Sequence, residues 1–372
     1  MRTLSLDPRN LKKPLLAHDS LGERELGKLS TAFQPGEWVL ADDGKGDKYL
    51  LGYINPFINR GDQFRAIGTA QKSVEKSSEE EIAAKIIEQR ITAAIEKRSD
   101  FGYLKESCRL IFGGSDMLPG LVVDKVEKYL LVQINAMGIY RHLKVIEQIL
   151  VFQFPSLEII HLQSKNLSMG EDIPDHSSDV NEEWIRAVES DLRMSISKEN
   201  LQKTGFYFDH RDNRKRLEAL VKARLQKAST SVDLFSYLGA WGMTLLKTGV
   251  DKCVFVDQAK LESEFEKNLE ENGFSDRGTF VRQDVFKYLD ECKNNKIKFD
   301  IVVSDPPAFI KNVKDKKKAI VGYEKLHSKA LTCISEGGLF VAASCTQPVS
   351  IEEFDMSVKR SADRLNLGIE SF

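Results

Sequence analysis

Phe299-Asp300-Ile301-Val302-Val303-Ser304-Asp305-Pro306-Pro307 is an apolar run that ends in an acid and two prolines. A short apolar run bounded by turn residues reads as a buried strand. Proline fixes its own φ and disfavours the α region for the residue before it, so the strand stops at Asp305 in a stiff loop with few amide donors. The same pattern recurs further on, where Leu339 to Ala343 runs into Ser344-Cys345-Thr346. In an open α/β sheet, ligands bind in the crevice beyond the C-terminal ends of the strands, so this carboxylate and this thiol are expected to share a site.

Outward from these two strings, strand patterns alternate with helical ones from about residue 198: Val232 to Tyr237, Cys253 to Asp257, Thr279 to Arg282, Phe299 to Ser304 and Leu339 to Ser344. Such alternation builds a parallel α/β sheet. The first of these strands runs into Gly239-Ala240-Trp241-Gly242, and the second ends in Asp257. Glycine lets a backbone approach a ligand closely, and a carboxylate at the end of the second strand can accept hydrogen bonds from both hydroxyls of a ribose. The full G-x-G-x-x-G spacing is absent, which argues against a dinucleotide and its pyrophosphate. Asp284 ends the third strand; alone it reads as a helix cap, whereas with Gly239 and Asp257 it fits an S-adenosylmethionine site and could meet the adenine amino group.

At 372 residues with 41% hydrophobic content, the chain suits two or three globular domains. Residues 1 to about 73 read as a small β-rich module of apolar segments broken by turns, such as Trp38-Val39-Leu40-Ala41 and Tyr49 to Ile54. Ser78 with Glu81 forms a capping-box pattern that opens a long helix. From about 101 to 197, strands at Arg109 to Phe112, Leu121 to Asp124, Tyr129 to Ile134, Glu158 to Leu162 and Leu192 to Ser197 flank a helix at Arg141 to Phe152, an α+β pattern. Gly170 to Glu183 is acidic and polar and reads as an exposed loop.

Basic and acidic residues nearly balance, 54 against 56, so net charge does not announce a nucleic-acid binder. Local charge does more. Lys311, Lys314, Lys316, Lys317 and Lys318 follow the Asp-Pro-Pro string and could hold a phosphate backbone at the mouth of the site, or form a solvated loop. Tyr323, just beyond, joins Lys311, Lys316 and Lys317 as a candidate substrate contact. The five cysteines are scattered, with neither a disulfide framework nor zinc-ligand spacing. No run of about 18 apolar residues and no signal-peptide pattern occurs, so the expected place is the cytoplasm, without a membrane partner.

Cys345 is the candidate nucleophile. Carbon 5 of a pyrimidine becomes nucleophilic only after something adds at carbon 6, and a thiolate suits that reversible addition. Asp305 could orient a cytosine through N3 or the exocyclic amine and assist proton transfer. Cys108, Cys253, Cys292 and Cys333 read as buried small hydrophobes. The string Lys203-Thr204-Gly205-Phe206-Tyr207-Phe208-Asp209-His210-Arg211 could close over the cofactor, with Asp209 facing its ammonium and Arg211 its carboxylate.

Together with Phe235-Ser236-Tyr237-Leu238-Gly239 and with Arg109 to Leu121, these strings resemble the RlmI-like family of PUA-domain ribosomal RNA cytosine-C5 methyltransferases. The resemblance covers nearly the whole chain. It implies a PUA domain over 1–73 that binds RNA, an EEHEE middle domain over 74–197, and a Rossmann-like class I methyltransferase domain over 198–372. The cofactor would be S-adenosyl-L-methionine, held by Phe208, Asp209, Arg211, Phe235, Ser236, Tyr237, Gly239, Asp257, Asp284 and Asp305. The partner would be large-subunit ribosomal RNA, and a homodimer is one arrangement left open. Cys345 would attack the base, and Pro306 stands where related RNA cytosine-C5 enzymes carry a second cysteine. Two antiparallel strands would be expected after the helix at Ile351 to Leu365, and the chain stops at Phe372. The alternatives left open are an N-methyltransferase that uses the Asp-Pro-Pro loop without a covalent step and a non-catalytic RNA-binding protein.

Overall fold

A computed structural model describes residues 1–11, 16, 20–26, 33–42, 44, 48–58, 62–71, 77–163, 170–201, 205–224, 228–310 and 313–370. The chain divides into two compact units, one of residues 1–190 and 197–208, the other of residues 191–196 and 209–372.

In the first unit, β1 (Arg2–Ser5), β2 (Ser20–Leu21), β3 (Glu37–Asp42), β4 (Lys48–Ile54) and β5 (Phe64–Gln71) form one sheet in the order β1-β3-β4-β5-β2. The long helix α1 (Glu79–Asp100) follows, its first turn capped as expected by Ser78, whose side chain accepts from the Glu81 amide. A second sheet, β6-β7-β8-β9, is built from β6 (Cys108–Phe112), β7 (Leu121–Val126), β8 (Tyr129–Ile134) and β9 (Glu158–Leu162), with α2 (Leu143–Gln153) between β8 and β9. The first sheet packs a core of its own, with Leu4, Val39, Leu50, Ile54 and Phe64, and shares a second with the other sheet. Trp38, Leu51 and Tyr53 of the first join Ile87 and Ile91 of α1 and Leu121, Val132 and Ile146 of the second region in one buried cluster. The two N-terminal modules expected from the sequence therefore form one compact unit.

The Arg109 to Leu121 string has a structural task. Asp116 accepts from Arg98 Nη1 and Nη2 at 2.6 and 2.7 Å and from the Phe112 amide at 2.7 Å, closing the turn between β6 and β7. The expectation of an exposed loop at Gly170 to Glu183 is corrected at three residues. Glu171 is buried and accepts from Asn55 and Arg65, while Ile173 and Val180 are buried apolar anchors. A polar composition hides such anchors because each is a single residue. Trp184–Glu189 forms β10, a strand the sequence reading passes over.

Strand β11 (Leu192–Ser197) lies mostly in the second unit, although its residues were expected in the middle domain. The Ser195 amide donates to Asn268 Oδ1 at 2.6 Å and Asn268 Nδ2 donates to the Ser195 carbonyl at 3.2 Å. The remaining strands are β12 (Thr230–Leu234), β13 (Lys252–Asp257), β14 (Gly278–Arg282), β15 (Phe299–Ser304) and β16 (Ile334–Ala342). They form a parallel sheet in the order β14-β13-β12-β15-β16. The helices are α3 (Arg211–Arg224), α4 (Ala240–Thr248), α5 (Glu262–Glu271), α6 (Val285–Asn294), α7 (Lys316–Thr332) and α8 (Ile351–Asp363).

Strand alternation sends β15 side chains to opposite faces. Ile301 and Val303 pack with Leu217, Trp241 and Leu245, whereas Val302 packs with Val285, Leu289 and Leu326. Burial on both faces is why the β15 sequence is continuously apolar. The register pairs Leu234 with Val256 and with Ser304, Asp257 with Arg282, and Ser304 with Ala342. The C-terminal strand ends thus line one edge, and the strand order reverses between β12 and β15.

Candidate functional site

The loop after β12 is strained. Phe235 and Tyr237 hold φ of 60° and 47°, a region that costs non-glycine residues of order 1–3 kcal/mol each. Three hydrogen bonds fix it. The Ser236 amide donates to the Val256 carbonyl at 3.1 Å, the Tyr237 amide to Asp257 Oδ2 at 3.0 Å, and the Gly239 amide to the Ser236 carbonyl at 2.7 Å. Gly239, at φ 84°, caps α4, and a Cβ there would lie 2.8 Å from the Phe265 ring. Only glycine fits both the conformation and the space.

Asp257 accepts one backbone N–H on each oxygen, from Tyr237 and, at 2.9 Å, from Ala259. Each oxygen keeps a lone pair for a hydroxyl donor. Nearby at the same edge, Ser236 Oγ, Ser304 Oγ and Asp233 Oδ1 are buried without a partner among the described residues. Asp233 Oδ2 accepts from the Gly242 amide at 2.9 Å. Burial raises the Asp233 carboxyl to about 8, and the charges of Asp305 and Asp257 push in the same direction, while the Gly242 amide and Arg214 oppose them. Asp284 is exposed and caps α6, its Oδ1 accepting from the Lys287 amide at 3.0 Å. One oxygen is therefore committed to the helix.

The two strings that organise the sequence meet at the far side of this edge. Cys345 Sγ donates to the Pro306 carbonyl at 3.6 Å. Asp305 Oδ2 accepts from Trp241 Nε1 at 3.0 Å and lies 3.6 Å from His210 Nε2. Neither Trp241 nor His210 stands among the candidates drawn from the sequence, although both lie inside quoted strings. An indole in a glycine turn and a histidine between two charged residues carry no sign of a shared partner some distance along the chain. The Cys345 thiol is held above its ordinary value by partial burial of the sulfur, then by the charge of Asp305 and, more weakly, of Asp209.

Tyr323 requires a correction. It is fully buried, and its hydroxyl bonds Ser344 Oγ at 2.8 Å and Thr346 Oγ1 at 2.7 Å. Thr346 Oγ1 also accepts from the Phe309 amide at 3.3 Å. The tyrosine is a strut that ties the loop after β15 to the loop after β16, not a surface for substrate. Lys316 is paired with Glu353 at 2.7 Å, and Lys317 is exposed; Lys311 lies outside the described residues, as do Lys203 and Thr204. Asp209 is exposed and Arg211 buried at the start of α3. Phe208 is the last residue of the first unit, buried with its ring 6.1 Å from that of Phe206.

The parallel sheet with its glycine turn, acid-ended second strand and strand-end acid defines a Rossmann-like class I methyltransferase fold. Two solved structures share it, each with a TM-score of 0.74 at 19% identity. One is described as a methyltransferase complexed with SAH and is covered to 92% by 100% of this chain; the other is described as SAM-dependent, from Streptococcus mutans, and is covered to 90% by 97% of this chain. A family model, Conserved hypothetical protein 95, matches residues 194–347. A ribosomal RNA large subunit methyltransferase of Deinococcus radiodurans is 29% identical over 361 residues, spanning 93% of this chain and 85% of that protein. Ribosomal RNA large subunit methyltransferase I of Aliivibrio fischeri is 30% identical over 244 residues, 64% of this chain and 60% of that protein. The chain belongs to the RlmI-like methyltransferase family.

Proposed function

We propose that this protein transfers a methyl group from S-adenosylmethionine to carbon 5 of a cytosine in large-subunit ribosomal RNA, through a covalent bond between Cys345 and carbon 6. The observation that carries the reading is the meeting of Cys345 and Asp305 at one strand edge, with Cys345 Sγ bonded to the Pro306 carbonyl. The residues present suit the cofactor. Asp257 would take the ribose hydroxyls, Gly239 would let the chain pass close, and Ser236, Phe235, Tyr237 and Asp284 would line the nucleoside. Asp209 and Arg211 would face the amino-acid end. When bound, the cofactor supplies an electrophilic methyl group and a positive sulfonium.

In the chemistry of the chain's own residues, the Cys345 thiolate adds to carbon 6, and Asp305 orients the pyrimidine and assists proton transfer at N3. After transfer, loss of the carbon-5 proton lets the C–S bond break and frees the thiolate. Lys317 would add phosphate attraction, as would Lys311 and, once parted from Glu353, Lys316, and the N-terminal PUA-like module would bind RNA in the cytoplasm. Cys345→Ala is expected to abolish methyl transfer, with tritiated cofactor and an unmodified large-subunit ribosomal RNA transcript, yet to leave cofactor affinity within about two-fold by calorimetry. Full activity in that variant would sink the reading.

One observation favours a second reading, N-methylation without a covalent step. Partial burial and two nearby carboxylates hold the Cys345 thiol above its ordinary value, which disfavours a thiolate. RNA carrying 5-fluorocytidine separates the two, since only a covalent enzyme is trapped on it.

A further inference from the structure

We infer that His210 and Trp241 are positioning residues that turn Asp305 into a one-sided hydrogen-bond acceptor, and that this makes the site select a base bearing an exocyclic amine. The inference rests on the cytosine reading above and adds the residues that enforce it.

The geometry is specific to one oxygen. Trp241 Nε1, which can only donate, reaches Asp305 Oδ2 at 3.0 Å. His210 Nε2 faces the same oxygen at 3.6 Å. The tautomer follows from the other ring nitrogen. Asn213 Nδ2 lies 3.1 Å from His210 Nδ1, and an amide nitrogen donates, so Nδ1 accepts and the proton sits on Nε2, between Asp305 Oδ2 at 3.6 Å and Asp209 Oδ2 at 3.9 Å. The rings of His210 and Trp241 are 5.4 Å apart, and the Arg214 guanidinium stands 5.8 Å from the Trp241 ring. Both donors come from rigid places: Trp241 from the buried first turn of α4, His210 from the residue before α3. The backbone side of the acid is held as well, with the Asp305 amide 3.5 Å from the Leu234 carbonyl.

With Trp241 bonded to Oδ2 and His210 Nε2 3.6 Å from the same oxygen, no donor among the described residues reaches Oδ1. The carboxylate cannot rotate without giving up the Trp241 bond, which leaves Oδ1 as its open acceptor. A cytosine offers an amine hydrogen at position 4, and a uracil offers an oxygen there. Two facing acceptors repel, so an oxygen fixed opposite position 4 favours the amine, and a site built to bond an N–H there rejects an analogue that lacks it by about 10⁴-fold. Asp305 alone has less bias, because a carboxylate free to swing can accept from the amine of a cytosine or from the N3–H of a uracil.

The test uses the full-length protein and an unmodified large-subunit ribosomal RNA transcript, with products digested and 5-methylcytidine and 5-methyluridine counted separately. Targets are supplied both with cytidine and with uridine throughout. His210→Ala and Trp241→Phe are expected to slow 5-methylcytidine formation about ten- to a hundred-fold and to shrink the cytidine preference by a similar factor. His210→Gln, which keeps an N–H donor at the same reach, is expected to restore most of the rate and the preference. Cofactor affinity measured by calorimetry checks that each variant keeps its fold. An unaltered cytidine preference in both His210→Ala and Trp241→Phe would overturn the inference, as would failure of His210→Gln to recover it while cofactor binding is intact. Wild-type protein that makes no 5-methylcytidine would instead overturn the cytosine reading itself, and the inference with it.

Discussion

Asp233→Asn is the sharpest probe of what lies under the cofactor edge. Asp233 is fully buried on the central strand β12, with one oxygen on the Gly242 amide and the other without a partner among the described residues. Its carboxyl stands near 8 in the folded protein against an ordinary value of 3.8. The sign follows from linkage. Below pH 3.8 the acid is protonated folded and unfolded, and it contributes nothing to the pH dependence. Between 3.8 and about 8 the unfolded chain has released the proton and the folded chain retains it, so folding takes one up and stability falls as pH rises. The slope is at most about 1.4 kcal/mol per pH unit, and over the window of about four units the loss is of order 5 kcal/mol. Above about 8 both states are ionised and the slope vanishes. A buried asparagine amide that lacks a partner costs about 1–3 kcal/mol, so the variant is expected to be the less stable below about pH 5 and the more stable above about pH 7. Urea unfolding of both proteins at half-unit steps from about pH 4 to 9 reads the crossover. Parallel curves for the two would refute the reasoning, because they would mean that Asp233 titrates alike in both states.

Tyr323→Phe removes the hydroxyl shared by Ser344 and Thr346; kcat is expected to drop about ten- to a hundred-fold while cofactor affinity stays put, as single-turnover rates and calorimetry would show. Loss of cofactor binding there would mean that the strut supports the nucleoside side instead. Asp257→Ala deletes the proposed ribose acceptor and two backbone partners at once. Cofactor affinity is expected to fall by roughly two orders of magnitude or more, with the strained loop after β12 released, and near-normal affinity by calorimetry would exclude Asp257 from the cofactor set.

Much of the second unit is readable along the chain. Phe299–Ser304 is a strand at its expected bounds, and the runs at 253–257 and 279–282 lie within one residue of the observed strands, because burial on both faces demands uninterrupted apolar residues between turn signals. The helix expected from Ile351 is likewise found, opened by the full capping box of Ser350 and Glu353. Tyr323 misleads for a physical reason: a tyrosine near a basic stretch looks like a contact for a base, and only its burial shows that the hydroxyl is spent inside. Asp284 shows the reverse, a cap by sequence and a cap in the structure, with one oxygen left over.

Composition and local pattern determined the α/β class, the strand ends and the pairing of an acid with a thiol, because strand periodicity, proline and glycine act over a few neighbouring residues. Tertiary structure alone decided what those groups touch. The unpartnered face of Asp233, the Tyr323 strut and the convergence of His210 and Trp241 on one oxygen of Asp305 each join residues far apart in the chain. Such juxtapositions come from how the strands are ordered and the helices laid on the sheet, and no local periodicity encodes them.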